Sequence, residues 1–278
     1  MIRELPLLAI LPLDKLLMHE QYDRDRTPQL LTSLRASGVI RNPPIITPLH
    51  DRTSRYMVLD GAHRTLALRS LGLAHILVQI VEPDDPGLQL NPWYHVIWGM
   101  DSGDLLKSIR EIPSLRLQAR EEKTDPQELV NRQSLAMIYL PDGRRFAALS
   151  PSYHLETRLR MLHAIVDSYK DHANMDRTNL QDMEALTRLY PRLTGLVVLP
   201  CFGIEEILFL VGEGHLLPAG STRFSISPRA LHVNYPLDEL AANRSLEEKV
   251  ERLHQWLQKR IAGKGVRYYA EATFLFDE

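Results

Sequence analysis

The sequence predicts an α+β fold in two units, residues 1–85 and 86–278. The first unit alternates short apolar runs with amphipathic stretches over about 80 residues, a size that holds its own core. Pro83-Asp84-Asp85-Pro86-Gly87 then punctuates the chain strongly enough to mark a boundary. At 278 residues and 44% apolar content, there is material for more than one core.

Residues 7–13 predict a first strand, interrupted by Pro12. Leu30, Leu31 and Leu34 lie within 28–36, a helix opening after Thr27-Pro28 and stopping at Gly38. Pro43-Pro44 opens a strand over 45–47, and a polar turn separates it from a strand over 56–59. That strand enters Asp60-Gly61, then a helix with His63 and Arg64 in its first turn and a stop at Gly72. Residues 76–81 predict the last strand of the unit. Beyond the boundary, 105–109, 126–132 and 154–170 predict helices, the last with Leu155, Leu159, Leu162 and Val166 on one face. Strand character appears over 196–199 and 204–211, and the turn Pro218-Ala219-Gly220-Ser221-Thr222-Arg223-Phe224 leads into another strand. Residues 245–262 carry the clearest helix. Ser245 and Glu248 form a capping box, Leu246, Val250, Leu253 and Leu257 share a face, and Lys259, Arg260 and Gly263 close it.

Composition removes several classes of function. Lysine and arginine total 33 against 35 acidic residues, a net charge of −2, which argues against a protein that coats nucleic acid. A single cysteine, Cys201, excludes an internal disulfide and any CxxC motif. The first residues, Met1-Ile2-Arg3-Glu4-Leu5-Pro6, do not form a signal peptide, and no apolar run reaches the length of a membrane span, so a cytoplasmic protein is expected. Eleven histidines occur without HExxH spacing, and neither GxxxxGK[ST] nor GxSxG is present.

Chemistry concentrates in a few places. A strand feeding a glycine turn and a helix N-terminus binds anions through free amides, and Arg64 adds a fork for phosphate. Gly61 permits close backbone approach. Asp60 has two readings from the residues alone: it caps the helix or ligates magnesium. Glu20, in His19-Glu20 after the first strand, is either a general base toward a hydroxyl or a solvated surface acid. Thr222-Arg223 is either a grip for a carboxylate or a surface hairpin. Trp93 and Trp98 either wall a pocket between the units or pack a core.

Asp60-Gly61-Ala62-His63-Arg64, after a strand and before an apolar helix, resembles the ParB/sulfiredoxin superfamily. Sulfiredoxins place their catalytic cysteine where this chain has Ala62. Chromosome-partitioning ParB proteins carry a Gly-Glu-Arg-Arg type box and a helix-turn-helix domain, neither of which is evident. The free serine kinase branch is similar over most of the chain. The likeness runs through His19-Glu20, Ile40-Arg41-Asn42-Pro43, the 56–64 block, Trp93-Tyr94-His95 and the 217–227 block, whereas 99–151 offers little to match.

This resemblance implies a nucleotide-binding domain (1–85) of ParB/sulfiredoxin type and a substrate domain (86–278) closing a cleft over free L-serine, which is converted to O-phospho-L-serine. It implies Glu20 as the base, and Asp60, Gly61, Ala62, His63 and Arg64 as the phosphate end, with Asp60 toward Mg2+. It further implies Ser33 as a nucleotide contact, and Trp93, Thr222 and Arg223 as the residues holding the amino acid. The donor, ADP or ATP, the pathway served and the oligomeric state stay open. The alternative is a ParB-like regulator that binds DNA or an effector without catalysis; near-neutral charge and the missing helix-turn-helix count against it.

Overall fold

A computed structural model describes residues 5–22, 27–120 and 134–269. The strands of the first part are β1 (Leu7–Pro12), β2 (Leu16–Met18), β3 (Val39–Ile40), β4 (Ile45–Pro48), β5 (Tyr56–Asp60) and β6 (His75–Ile80). The later strands are β7 (Leu88–Pro92), β8 (Tyr94–Trp98), β9 (Arg116–Arg120), β10 (Ser134–Tyr139), β11 (Arg145–Leu149), β12 (Asn174–Thr178), β13 (Leu193–Val198), β14 (Thr222–Ile226) and β15 (Tyr235–Pro236). The helices are α1 (Thr27–Ser37), α2 (Ala62–Ser70), α3 (Ser102–Arg110), α4 (Leu155–Lys170), α5 (Met183–Leu189), α6 (Ile204–Gly212), α7 (Leu237–Ala241) and α8 (Leu246–Ala262).

Two sheets organise the molecule, in keeping with the α+β class. One has the order β1-β6-β4-β5-β2, the other β12-β8-β13-β10-β11-β9. In the first, β2 runs parallel to β5 in the register Leu16↔Tyr56, Leu17↔Met57, Met18↔Val58. Glu20 and Asp60 therefore leave the same end of two adjacent strands. A ribbon of β7 and β14, with Thr222 opposite Pro92 and Arg223 opposite Asn91, ties the chain after the first sheet to a segment 130 residues later.

The core of the first sheet joins Ile10, Val58, Leu68 and Leu77 to Tyr235, Leu240 and Leu253, so α7 and α8 cover the sheet formed by residues 7–80. Each such side chain contributes about 1.5–3 kcal/mol by leaving water. The second sheet packs Ile97 and Ile138 on α3 and α4 through Leu106, Leu162 and Ile165. A third cluster sets Ile45, Met57 and Leu59 of the first sheet against Leu159 of α4 and Ile207, Leu210 and Val211 of α6. This apolar contact holds the two sheets in one arrangement around the site.

Residues 204–211 are helical, not a strand. Gly203 precedes the helix and its N–H donates to Glu206 Oε2 at 2.7 Å, while Ile207, Leu210 and Val211 are buried at helical spacing. A short apolar run fits either element, and here the N-terminal cap decides. Elsewhere Ser245 caps α8 as expected, accepting from Glu248 N–H at 3.2 Å while the Glu248 carboxylate takes the Ser245 N–H at 2.8 Å. The helix expected over 126–132 lies outside the described residues.

Candidate active site

Glu20 leaves β2 and enters a short parallel bridge with Leu217. Leu217 N–H donates to His19 O, and Gln21 N–H donates to Leu217 O, both at 2.8 Å. This lays the 217–222 turn along the end of the first sheet. The Glu20 carboxylate, nearly buried, gathers the turn's donors. Gly220 N–H reaches Oε2 at 2.8 Å; on Oε1, Thr222 N–H stands at 2.6 Å, the Thr222 hydroxyl at 2.5 Å and the Ser221 hydroxyl at 3.3 Å. Glu20 is thus no solvated surface acid: it joins the front of the chain to Thr222, two hundred residues later.

Gly220 has φ +74, and an added Cβ would run into the Arg177 guanidinium, which lies against it from β12. Its carbonyl accepts from His95 Nε2 at 2.9 Å, and His95 Nδ1 accepts from Tyr169 Oη at 2.7 Å. Burial holds the His95 imidazole down at about 4 and pushes the Tyr169 hydroxyl well above its ordinary value. His95 is therefore a neutral strut that fixes the peptide presented to Glu20.

Arg223 follows directly. Its guanidinium stacks 4.8 Å from the centre of the Trp93 ring, and Trp93 N–H donates to Ser221 O at 3.4 Å. Trp93 is thus a wall beside the turn. Stacking on an aromatic face orients the guanidinium plane and leaves its edge free for an anion.

On the neighbouring strand, Asp60 departs from the capping expectation. The residue at the helix start is Gly61 at φ +89, and no side chain caps α2. Asp60 Oδ2 instead pairs with Arg64 at 3.2 Å and with Arg229. Two guanidiniums offer the carboxylate stronger partners than the helix amides. Arg64 also donates to the carbonyls of Asn42 and Pro43, the latter at 3.2 Å, and burial is the main cause lowering its pKa. A Cβ on Gly61 would meet Arg64 Nη2 and Pro44 Cα, each at 3.0 Å, so the turn needs glycine for both conformation and space. Ala62 and His63 occupy the first turn of α2. Ser33 is exposed on α1, which packs along α2, and makes no hydrogen bond to this cluster among the described residues.

Sequence reasoning missed Arg229, His95 as a strut and Arg177. Arg229 arrives on a loop pinned to the first sheet: Gln79 Nε2 donates to Pro228 O at 2.9 Å, and Ala230 N–H donates to Gln79 Oε1 at 2.8 Å. Its only signal is position, directly after the 217–227 block. Among the described residues, no group of three or more His, Cys, Asp or Glu side chains is arranged to hold a metal, and no helix is long and apolar enough to cross a membrane.

No family model matches the chain. It is 27% identical over 276 residues to the ATP-dependent L-serine kinase SbnI of Staphylococcus aureus, spanning 98% of this chain and 97% of that protein. The likeness to a free L-serine kinase thus runs over nearly the whole of both chains. An ATP-dependent L-serine kinase of Staphylothermus marinus is 32% identical over 117 residues, which are 42% of this chain and 45% of that family member. Among solved structures, C-terminally truncated SbnI superposes with a TM-score of 0.74 at 23% identity, over 91% of this chain and 97% of that one. A free serine kinase in complex with AMP superposes at 0.69 and 17% identity, over 86% of this chain and 95% of the other. The fold is therefore shared with these kinases over about nine-tenths of this chain.

Proposed function

We propose that this protein transfers the terminal phosphoryl group of ATP to the hydroxyl of free L-serine, giving O-phospho-L-serine and ADP. The observation that carries the reading is the Glu20 carboxylate. It sits at the end of β2, level with Asp60 and bound to the turn that presents Arg223. The names of the full-length and partial relatives support both the acceptor and ATP as donor. Because a nucleotide and a free amino acid are cytoplasmic metabolites, the reading places the enzyme in the cytoplasm.

Phosphoryl transfer asks mainly for positioning and charge neutralisation. Arg64, Arg229 and the N-terminal end of α2 supply positive charge where the phosphates lie. Asp60 fits a magnesium ion as its one protein carboxylate. Arg64 and Arg229 engage Oδ2, while Oδ1 has no hydrogen-bond partner among the described residues. Magnesium commonly takes one carboxylate, with water and phosphate oxygens completing its shell. When bound, it neutralises charge on the transferring group. Arg223, braced by Trp93, grips the serine carboxylate, and Thr222 stands beside the hydroxyl's target. Glu20 accepts the hydroxyl proton, an effect worth about 10²–10⁴-fold. Ser33 is held only as a peripheral nucleotide contact.

The test is incubation with L-serine, magnesium and either ATP or ADP, with O-phospho-L-serine detected by mass. Phosphoserine formed with ATP supports the reading. Its absence with every nucleotide, together with salt-dependent DNA binding, would replace it with the regulator.

A further inference from the structure

Beside the base lies a line of polar contacts that the reaction as described does not use. His19 Nδ1 stands 2.6 Å from Val58 O, His19 Nε2 2.9 Å from Thr222 Oγ1, and Thr222 Oγ1 2.5 Å from Glu20 Oε1. A carbonyl only accepts, so Nδ1 carries a hydrogen. The two remaining contacts need one hydrogen each, and the Thr222 hydroxyl supplies one. The other belongs on Nε2 or on Glu20 Oε1. With an ionised carboxylate and a neutral imidazole, one contact is left with no hydrogen. Its bonding is complete only when one further proton has arrived.

We propose that His19 is the terminus of a proton relay, serving Glu20 through the Thr222 hydroxyl. The proposal rests on the serine kinase reading above. As the serine Oγ–P bond forms and the P–O bond to ADP breaks, the serine hydroxyl proton passes to the Glu20 carboxylate. The proton on Oε1 then moves to Thr222 Oγ1, whose own proton moves to His19 Nε2. The sequence leaves Glu20 ionised, Thr222 a neutral hydroxyl and His19 an imidazolium, and the proton leaves with product exchange. Each transfer follows an existing short contact, with no heavy-atom rearrangement.

The surroundings suit this role. The His19 ring faces Glu20 and Thr222, and the Phe224 ring packs edge-on at 5.2 Å. Phe224 and the rest of the fold leave the His19 side chain only 11% exposed, so the proton passes along the contacts rather than to bulk water. Val58 O fixes the ring orientation, and Val58 lies in the strand that ends at Asp60. His19 touches no substrate in this scheme and acts through Thr222 and Glu20.

Three variants, compared with the parent chain, test the relay: His19→Gln, Thr222→Val and Thr222→Ser. Gln keeps a donor toward Thr222 but cannot take up a proton, Val removes the hydroxyl at equal volume, and Ser restores it. In H19Q and T222V, kcat should fall at least about tenfold, below the full effect of losing a base, with the serine KM within about twofold. In H19Q the acid limb of the kcat–pH profile should move to lower pH, and T222S should recover most of the parent's kcat. A parent-like profile in H19Q, or a T222V defect confined to serine KM, overturns the relay while leaving the kinase reading intact. If H19Q does not fold, the T222V and T222S pair decides alone. A parent chain that makes no phosphoserine overturns the kinase reading, and the relay with it.

Discussion

Replacing Arg229 with alanine removes one of two guanidiniums from Asp60 Oδ2 and leaves Arg64 in place. The Arg229 and Asp60 side chains are 38% and 37% exposed, so solvent screens the pair. Its contribution to folding is therefore about 0–1 kcal/mol, and the melting temperature should fall by no more than about 2–4 °C. The effect on the reaction should be larger. A hydrogen bond from a charged donor to phosphate contributes about 1.5–3 kcal/mol, which corresponds to a loss of about 10- to 150-fold in kcat/KM for the nucleotide. The assay is phosphoserine formation against nucleotide concentration at saturating serine, with thermal unfolding followed on the same preparation. Parent-like nucleotide kinetics in R229A would refute the placement of the phosphates beside this pair. Reduced activity accompanied by a large drop in melting temperature would also refute it, by making Arg229 structural.

Arg223→Ala should raise the serine KM by about 10-fold or more, through loss of a charge-assisted grip on the carboxylate. Nucleotide affinity should be unchanged by isothermal titration; an unaltered serine dependence would remove Arg223 from the site. Buried His95 gives a stability prediction with a definite sign. Its pKa falls from 6.5 to about 4 on folding, mainly through burial, so only the unfolded chain takes the proton between those values. Stability should hold above about 6.5 and decline by about 3 kcal/mol as pH falls to about 4. Denaturant unfolding at several pH values checks this, and a His95→Asn variant should show a shallower decline over that window.

How far the sequence reaches depends on the distance its signals act over. Local signals were sufficient for α8, whose capping box and apolar face agree, and for the turn at Gly61 with Arg64 behind it. They failed at 204–211, where an apolar run without visible periodicity fits strand or helix and only the Gly203–Glu206 cap separates them. Asp60 shows a second limit. A carboxylate before a helix has local amides within reach, yet it pairs with Arg64 and with Arg229, and the latter comes from a loop 169 residues away. The apolar face of α8 announces that it will be buried but not against what; only the fold shows Leu253 packed on the first sheet. The meeting of Glu20 with the 217–222 turn came from likeness to a family, because no spacing in the chain encodes it.

The most direct measurement is single-turnover phosphoserine formation by Glu20→Gln, with nucleotide binding followed in the same sample. The amide cannot take up the hydroxyl proton, so transfer should slow by about 10²–10⁴-fold. Nucleotide affinity should match the parent's, because Asp60, Arg64 and Arg229 are untouched. Turnover close to that of the parent protein would contradict the assignment of Glu20 as the group that receives the serine proton.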